Sequence, residues 1–429
     1  MASSAYRRGP CQGSRKPAAQ GPCLRCRHPT PRSHSLYRRP WAPNAPPSAM
    51  FKLLVPLHRH FIRKPRSGFF LGGVTIRRHL LLHMPPASRT GRVRPADVAA
   101  ETKRNFIPLI NSQHAHEFPP YSVLYRRPAE ELDIRRLVPT TRPPVFRFVA
   151  GDPVMAADSY SLSDSQAAGG RRIRVPFICA ANERRAGGDW ETGCSGYEEK
   201  LCRRSNLSAT LTTPDPTSGE ENNYPIPSGG GILSDSVVVW RGPHDRYDRL
   251  DSWVDLPVVS VPPTRWPKLN QNGSRYSFDE ERDMMRRKMR GALGICLYHN
   301  YDRVVIGDFG LGNSCRNPPQ EVAEIWRDLL LFDPDLRGRF AYVVFAFDDA
   351  EQSTTRMILN EIARRDRSVS GQSREARAAA ASTSSLSPAG ARAGDPTDIS
   401  IFQRVFDDAE IERVLSATDP RYDLNMITS

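Results

Sequence analysis

Apolar positions are spread unevenly along this chain, and they become regular only from about Val93 onward. There Asp97 leads into a stretch in which Val98, Ala99, Thr102 and Phe106 recur at helical spacing, which predicts an opening helix. Residues 113–145 are Pro-rich and irregular, and residues 159–170 read as a loop. Five runs rich in β-branched and aromatic residues follow, at 175–180, 237–240, 258–261, 303–306 and 341–347. Each is almost continuously apolar, which predicts strands of a sheet covered on both faces rather than half-exposed ones.

Helical patterns separate these strands. Ser277-Phe278-Asp279-Glu280 fits a capping box with Ser277 as N-cap and Glu280 three residues on, and Met285, Met289, Leu293 and Cys296 form the inner face of the helix it opens. A second helix over residues 319–331 carries the stripe Val322, Ile325, Trp326 and Leu329. The segment 398–415, with Ile401, Phe402, Val405, Phe406, Ile411 and Leu415, predicts a closing helix. Alternating strands and helices indicate a three-layer α/β/α sandwich. Residues 366–397 shift to Ser, Ala, Arg and Gly without periodicity and read as a disordered insertion. The expected organisation is a leader at 1–85, a folded domain at 86–365, the insertion at 366–397 and a C-terminal helical segment at 398–429 that packs on the domain.

Charge changes the picture of the leader only. The chain has a net charge of +14, yet 19 Lys and Arg precede the first acidic residue, Asp97, and the rest of the chain carries 42 basic against 47 acidic residues. The leader is basic, acid-free and rich in Pro, which predicts disorder, with mitochondrial import as the alternative. It supports only non-specific electrostatic contact with nucleic acid. Its apolar clusters at 51–55 and 69–74 are far shorter than the roughly 20 residues a spanning helix needs, so no membrane partner is expected. Met50 and Met84 are internal positions where a shorter product would begin. Eight cysteines scattered over 429 residues make no disulfide framework and point to a reducing, intracellular compartment, cytoplasmic or nuclear. Cys23 and Cys26, with Cys11 and His28, lack the second ligand pair of a metal knuckle, and no metal or cofactor is expected.

The candidate chemistry lies just after the 175–180 run. The chain continues Asn182-Glu183-Arg184-Arg185-Ala186-Gly187-Gly188-Asp189, and eight residues later Tyr197-Glu198-Glu199 opens a helical pattern. Adjacent glycines admit close backbone approach and present amides that cradle a pyrophosphate. Paired acids in a first turn also have a plain reading, as charges that complement the helix dipole. Farther on, Gly307-Asp308-Phe309-Gly310-Leu311-Gly312-Asn313 lies between a predicted strand and a predicted helix, a second arrangement suited to anions.

The stretch from Asn182 to Glu199 resembles the Gly-Gly-Gly, short spacer, Gln-Glu-Glu signature of the microbial-type poly(ADP-ribose) glycohydrolases. Similarity continues through residues 201–207, Tyr224 to Pro227, Gly230 to Ile232, Trp240-Arg241 and residues 303–347, so that it spans roughly residues 93–350 in the family's order. The resemblance implies a macrodomain-like fold with a mixed central sheet and ADP-ribose bound across the strand ends. It implies an ADP-ribosyl glycohydrolase acting on O-glycosidic ribose bonds of poly(ADP-ribose) or ADP-ribosylated proteins. The alternative is a catalytically weak ADP-ribose reader. Carried over by position, Glu199 is the general acid and Glu198 the anchor of the distal ribose, which Asn182 also contacts. Gly187 and Gly188 line the diphosphate, and Gly310, Leu311, Gly312 and Asn313 form the second phosphate loop. Tyr197 stands in the binding site where the family has Gln, and Phe345, with Phe347 nearby, is placed at the adenosine or in the core. A monomer is expected. Besides Tyr197, the signature differs at Asp189, which replaces the third glycine. A carboxylate there repels a diphosphate unless it points away.

Overall fold

The computed structural model describes residues 93–134, 139, 143–369 and 395–416. The chain divides between Pro85 and Pro86, and every described residue belongs to the later part. The leader readings, including Cys11, Cys23, Cys26, His28, Met50 and Met84, concern residues outside those described, as do the readings on 370–394 and 417–429.

Seven strands form one mixed sheet: β1 (Val123–Tyr125), β2 (Val145–Ala150), β3 (Phe177–Ala180), β4 (Gly231–Arg241), β5 (Arg249–Val261), β6 (Arg303–Ile306) and β7 (Tyr342–Phe347). Their order is β1-β4-β5-β3-β6-β7-β2. From β5 through β3, β6 and β7 to β2 all neighbours are parallel, while β4 and β1 continue the other side antiparallel. Successive residues of a strand feed opposite cores, as the pleat requires. Ile178, Val304, Ile306, Val343 and Phe345 pack beneath the Asp279–Tyr298, Pro319–Phe332 and Asp398–Val405 helices. Phe177, Cys179, Val305, Val344 and Ala346 pack beneath the Pro153–Ala167, Tyr197–Arg203 and Leu207–Thr212 helices. This is the expected three-layer sandwich. The predicted inner faces are buried as read, with Met285, Met289, Leu293, Cys296, Val322, Ile325 and Leu329 fully enclosed.

Four local expectations are corrected. Residues 159–170 are not a loop, because the Pro153–Ala167 helix runs through most of them. Only its first turns, at Pro153, Val154, Ala156 and Ala157, are buried, so no apolar stripe marks the rest. Its serines serve backbone instead: Ser161 Oγ accepts from Val175 N at 3.0 Å and Ser165 Oγ from Ile173 N at 2.8 Å, which docks the approach to β3. The stretch 113–145 contains β1, a helical turn at Pro128–Glu131 and the start of β2. Both strands are sheet edges, and β2 has no fully buried residue, so neither shows an apolar run. Phe278, not Ser277, is the N-cap of the next helix, and it has no side-chain cap. Ser277 N donates to Lys268 O at 2.8 Å, and the carboxylate of Glu281 accepts from Lys268 N at 2.9 Å, so this helix start is tied to the preceding loop. Finally, the closing element is two helices, Asp398–Val405 and Asp408–Ser416, and the Thr354–Val369 helix runs into the segment read as an insertion.

Candidate active site

The parallel strands β3 and β6 are neighbours, so the loops leaving their C-terminal ends lie side by side. Such an edge is where open α/β sheets collect ligands. The loop after β3 carries Asn182, Gly187 and Gly188, and the helix Tyr197–Arg203 returns Glu198 and Glu199 to it.

Glu198 is 2% exposed, and its carboxylate straps the loop to the helix. Oε2 accepts from Asn182 N at 2.7 Å and Oε1 from Gly187 N at 3.2 Å. Burial pushes its carboxyl up to about 8, against the two amide donors, which pull it down, and with Glu199 adding repulsion. Glu199 points elsewhere. A methyl group at Gly188 would collide with its Oε1, and one at Gly196 with its Oε2, so the carboxylate lies in a slot that two glycines leave open. Gly188 also sits at φ +52°, a conformation side chains disfavour. Asn182 Oδ1 accepts from Arg184 N at 2.9 Å and from Arg185 N at 3.2 Å, which leaves its Nδ2 beside Gly188. The structure thus brings Asn182, Gly187, Gly188, Glu198 and Glu199 together.

The two departures from the signature stand clear of this group. Asp189 is exposed and ion-paired with Arg185, so its charge faces solvent and has a partner. Tyr197, expected at the ligand, has its hydroxyl engaged by other side chains. Its hydroxyl donates to Asp152 Oδ2 at 2.9 Å and accepts from Arg204 Nη2 at 2.8 Å, and its ring meets Phe177 edge-on. Phe345, expected at the adenosine or in the core, is fully buried among Phe148, Trp326, Phe402 and Phe406.

The loop after β6 is partly self-satisfied. Leu311 N donates to Asp308 O at 3.0 Å and Gly312 N to Thr354 Oγ1 at 2.7 Å, while Asn317 Nδ2 donates to Gly310 O at 2.7 Å. Gly310 and Gly312 take φ of +78° and +72°. Asn313 is exposed and accepts from Arg316. A one-turn helix at Gly312–Cys315, absent from the sequence reading, precedes the Pro319–Phe332 helix.

Sequence reasoning missed the charges around the site. Lys200 Nζ lies 2.6 Å from Asp348 Oδ2, and Arg204 Nη2 lies 2.7 Å from Asp152 Oδ2. Burial raises Asp308 to about 6, with Asp348 pushing the same way and Lys200 opposing. Asp152, Asp308 and Asp348 each stand one or two residues beyond the end of β2, β6 and β7. For Asp308 and Asp348, a carboxylate within two residues of a buried apolar run was the available signal; Asp152 follows an edge strand with no such run. Among the described residues no group of three or more His, Cys, Asp and Glu is placed to hold a metal ion, and no helix is long and apolar enough to cross a membrane.

Fold and site together define an α/β/α domain with a carboxylate pair and glycine loops at the C-terminal edge of a mixed sheet. Residues 143–242 match the family "Microbial-type PARG, catalytic domain", a span that includes Asn182, the glycines and both glutamates. No curated protein matches the chain. Among solved structures, the poly(ADP-ribose) glycohydrolase of Thermomonospora curvata is similar, at 22% identity and a TM-score of 0.46 over 62% of this chain and 98% of that one. That of Deinococcus radiodurans in complex with ADP-ribose is 20% identical, with a TM-score of 0.42 over 59% of this chain and 96% of that one.

Proposed function

We propose that the chain is an ADP-ribosyl glycohydrolase that binds ADP-ribosyl groups at the β3 and β6 loops and hydrolyses their O-glycosidic ribose bond. The observation that carries this reading is the different setting of the two adjacent glutamates. Glu198 is buried and held by two backbone amides, whereas Glu199 lies free of such contacts in the slot beside Gly188 and Gly196.

In this mechanism Glu199 donates a proton to the leaving oxygen as the bond to the anomeric carbon breaks, then takes a proton from the water that adds to that carbon. As Glu199 gives up its proton it becomes the carboxylate that faces the positive charge developing on the ribose. Glu198 fixes the shape of the loop that receives the ribose, and Asn182 Nδ2, set beside Gly188, offers a donor to its hydroxyls. Binding of the diphosphate by the glycine loops positions the bond at a distance from the chemistry. Asp189 and Tyr197 leave this arrangement intact, which favours turnover over mere reading of ADP-ribose.

The test is release of ADP-ribose from poly- and mono-ADP-ribosylated protein by the full chain and by Glu199→Gln. Loss of general acid–base catalysis predicts a fall in kcat of about 10²- to 10⁴-fold. Equal rates for the two proteins would remove Glu199 from the mechanism. Tight binding of ADP-ribose without release from either substrate would leave the reader.

A further inference from the structure

Three carboxylates stand in a row where parallel strands end. β6 pairs with β7 through Ile306 and Phe345, and β7 with β2 through Phe347 and Ala150, so Asp308, Asp348 and Asp152 follow adjoining strand ends. The Tyr197–Arg203 helix and the residue after it bring two cations to this row, one helical turn apart. Arg204 meets Asp152, and Lys200 meets Asp348 with side chains only 17% and 9% exposed. His244 Nδ1 lies 3.6 Å from the other oxygen of Asp348. Among the described residues no cation is paired with Asp308 itself. It is faced by Asp348, by Lys200 and, from the closing helices, by Asp398. Asp398 is committed elsewhere, accepting from Thr354 N at 2.9 Å and from Thr354 Oγ1 at 2.7 Å. Of the three groups that face Asp308, Lys200 alone is a cation. Asp308 also belongs to the loop after β6, where its carbonyl accepts from Leu311 N at 3.0 Å, so its charge sits in the segment assigned to the diphosphate.

We propose that Lys200 is a positioning residue that lets the loop after β6 hold an anion, because its charge offsets Asp308 and Asp348, which would otherwise repel the diphosphate. Charges in a half-buried setting interact more strongly than in water, and like charges brought together there disfavour binding. Lys200 already spends its ammonium on Asp348 at 2.6 Å, so it acts on the ligand through the carboxylates beside it. Because it follows Glu199 directly, the same ion pair ties the helix of the acid to the end of β7. This inference rests on the ADP-ribose reading above and adds a residue on which the phosphate half of that site depends.

The experiment is calorimetry at neutral pH with ADP-ribose, and with adenosine as an uncharged probe, beside hydrolysis of an ADP-ribosylated protein. It uses the full chain as wild type, Lys200→Met, Lys200→Arg, Asp308→Asn and the double variant Lys200→Met with Asp308→Asn. Lys200→Met is expected to bind ADP-ribose about 10-fold more weakly, within a range of about 5- to 150-fold, and Lys200→Arg to retain most of the affinity. Asp308→Asn keeps the shape and removes one charge, so it is expected to bind ADP-ribose more tightly than the wild type, and in the double variant to restore most of what Lys200→Met loses. Adenosine is expected to bind all five proteins alike. A loss in Lys200→Met that Asp308→Asn does not restore, or that adenosine shares, makes Lys200 a structural support and overturns the proposal. An unchanged affinity in Asp308→Asn overturns it as well, without any change at Lys200, so the test survives if Lys200→Met fails to fold. If Lys200→Met binds ADP-ribose like the wild type while substrate is hydrolysed, the proposal fails and the glycohydrolase stands. If affinity follows the charges but no substrate is hydrolysed, the proposal stands and the glycohydrolase fails.

Discussion

Glu198→Gln is expected to flatten the pH dependence of this protein's stability. The carboxyl is raised from its ordinary 4.5 to about 8 in the folded chain, chiefly by burial. Between those values the folded state binds more protons than the unfolded one, so stability falls as pH rises. The contribution is complete below about pH 4.5 and is lost progressively as pH approaches 8. At about 1.4 kcal/mol per pH unit the gap corresponds to about 5 kcal/mol at most. Gln carries no such titration, but its NH₂ cannot accept from Asn182 N or Gly187 N, both of which face the Glu198 carboxylate. One buried donor therefore goes unpaired, at a cost of about 1–3 kcal/mol at acid pH. Urea unfolding at pH 5, 6, 7, 8 and 9 measures both effects. The wild type is expected to lead at pH 5 and to lose that lead by pH 9. Parallel curves for the two proteins would refute the reasoning, because they would mean that the two amides hold the carboxylate ionised despite its burial.

Gly196→Ala separates positioning from folding. Gly196 has φ −58° and ψ 150°, which alanine adopts freely, and the new methyl meets only the end of the Glu199 side chain. A small carboxylate displacement is expected to lower kcat by about 10- to 100-fold, with the thermal midpoint unchanged in a calorimetric scan; an unchanged kcat would show that Glu199 does not work from this slot. Phe345→Ala tests whether that ring serves the core rather than the ligand. It is expected to destabilise the fold by about 3–5 kcal/mol in urea while the folded protein keeps its Kd for ADP-ribose within about twofold, and a tenfold weaker Kd would return Phe345 to the ligand.

What the sequence revealed follows the depth of burial. β3, β6 and β7 are central and bury nearly every residue, so their apolar runs stand out. β1 and β2 are edges, and β2 alternates exposed with half-buried positions around Arg147, so neither does. The Pro153–Ala167 helix was hidden because its serines hydrogen-bond to backbone, a use that leaves no hydrophobic period. At the site, Glu198, Glu199 and the glycines were legible because close approach and paired acids fix residue type at short spacing. Lys200, Asp152 and Asp348 were not, because their pairings join positions 52 and 148 residues apart.

The exchange of Gln for Tyr at 197 is best understood with the residues it joins. Asp152 and Arg204 form an ion pair that is 6% and 1% exposed at the side chains. Such a pair gains little unless further hydrogen bonds offset the loss of water. The Tyr197 hydroxyl supplies them, accepting from Arg204 and donating to Asp152, and burial keeps the phenol protonated by raising it well above its ordinary value. Tyr197 and Arg204 are seven residues apart, close to two helical turns, so both project toward the same neighbour. That neighbour is the N-terminus of the Pro153–Ala167 helix, where Asp152 also caps Met155 N at 3.0 Å. A tyrosine reaches across this gap, and its length serves the pairing. The helix that carries Glu198 and Glu199 is thus anchored from behind, and what looks in the sequence like decay of the signature is, in the fold, a different means of holding the same two carboxylates.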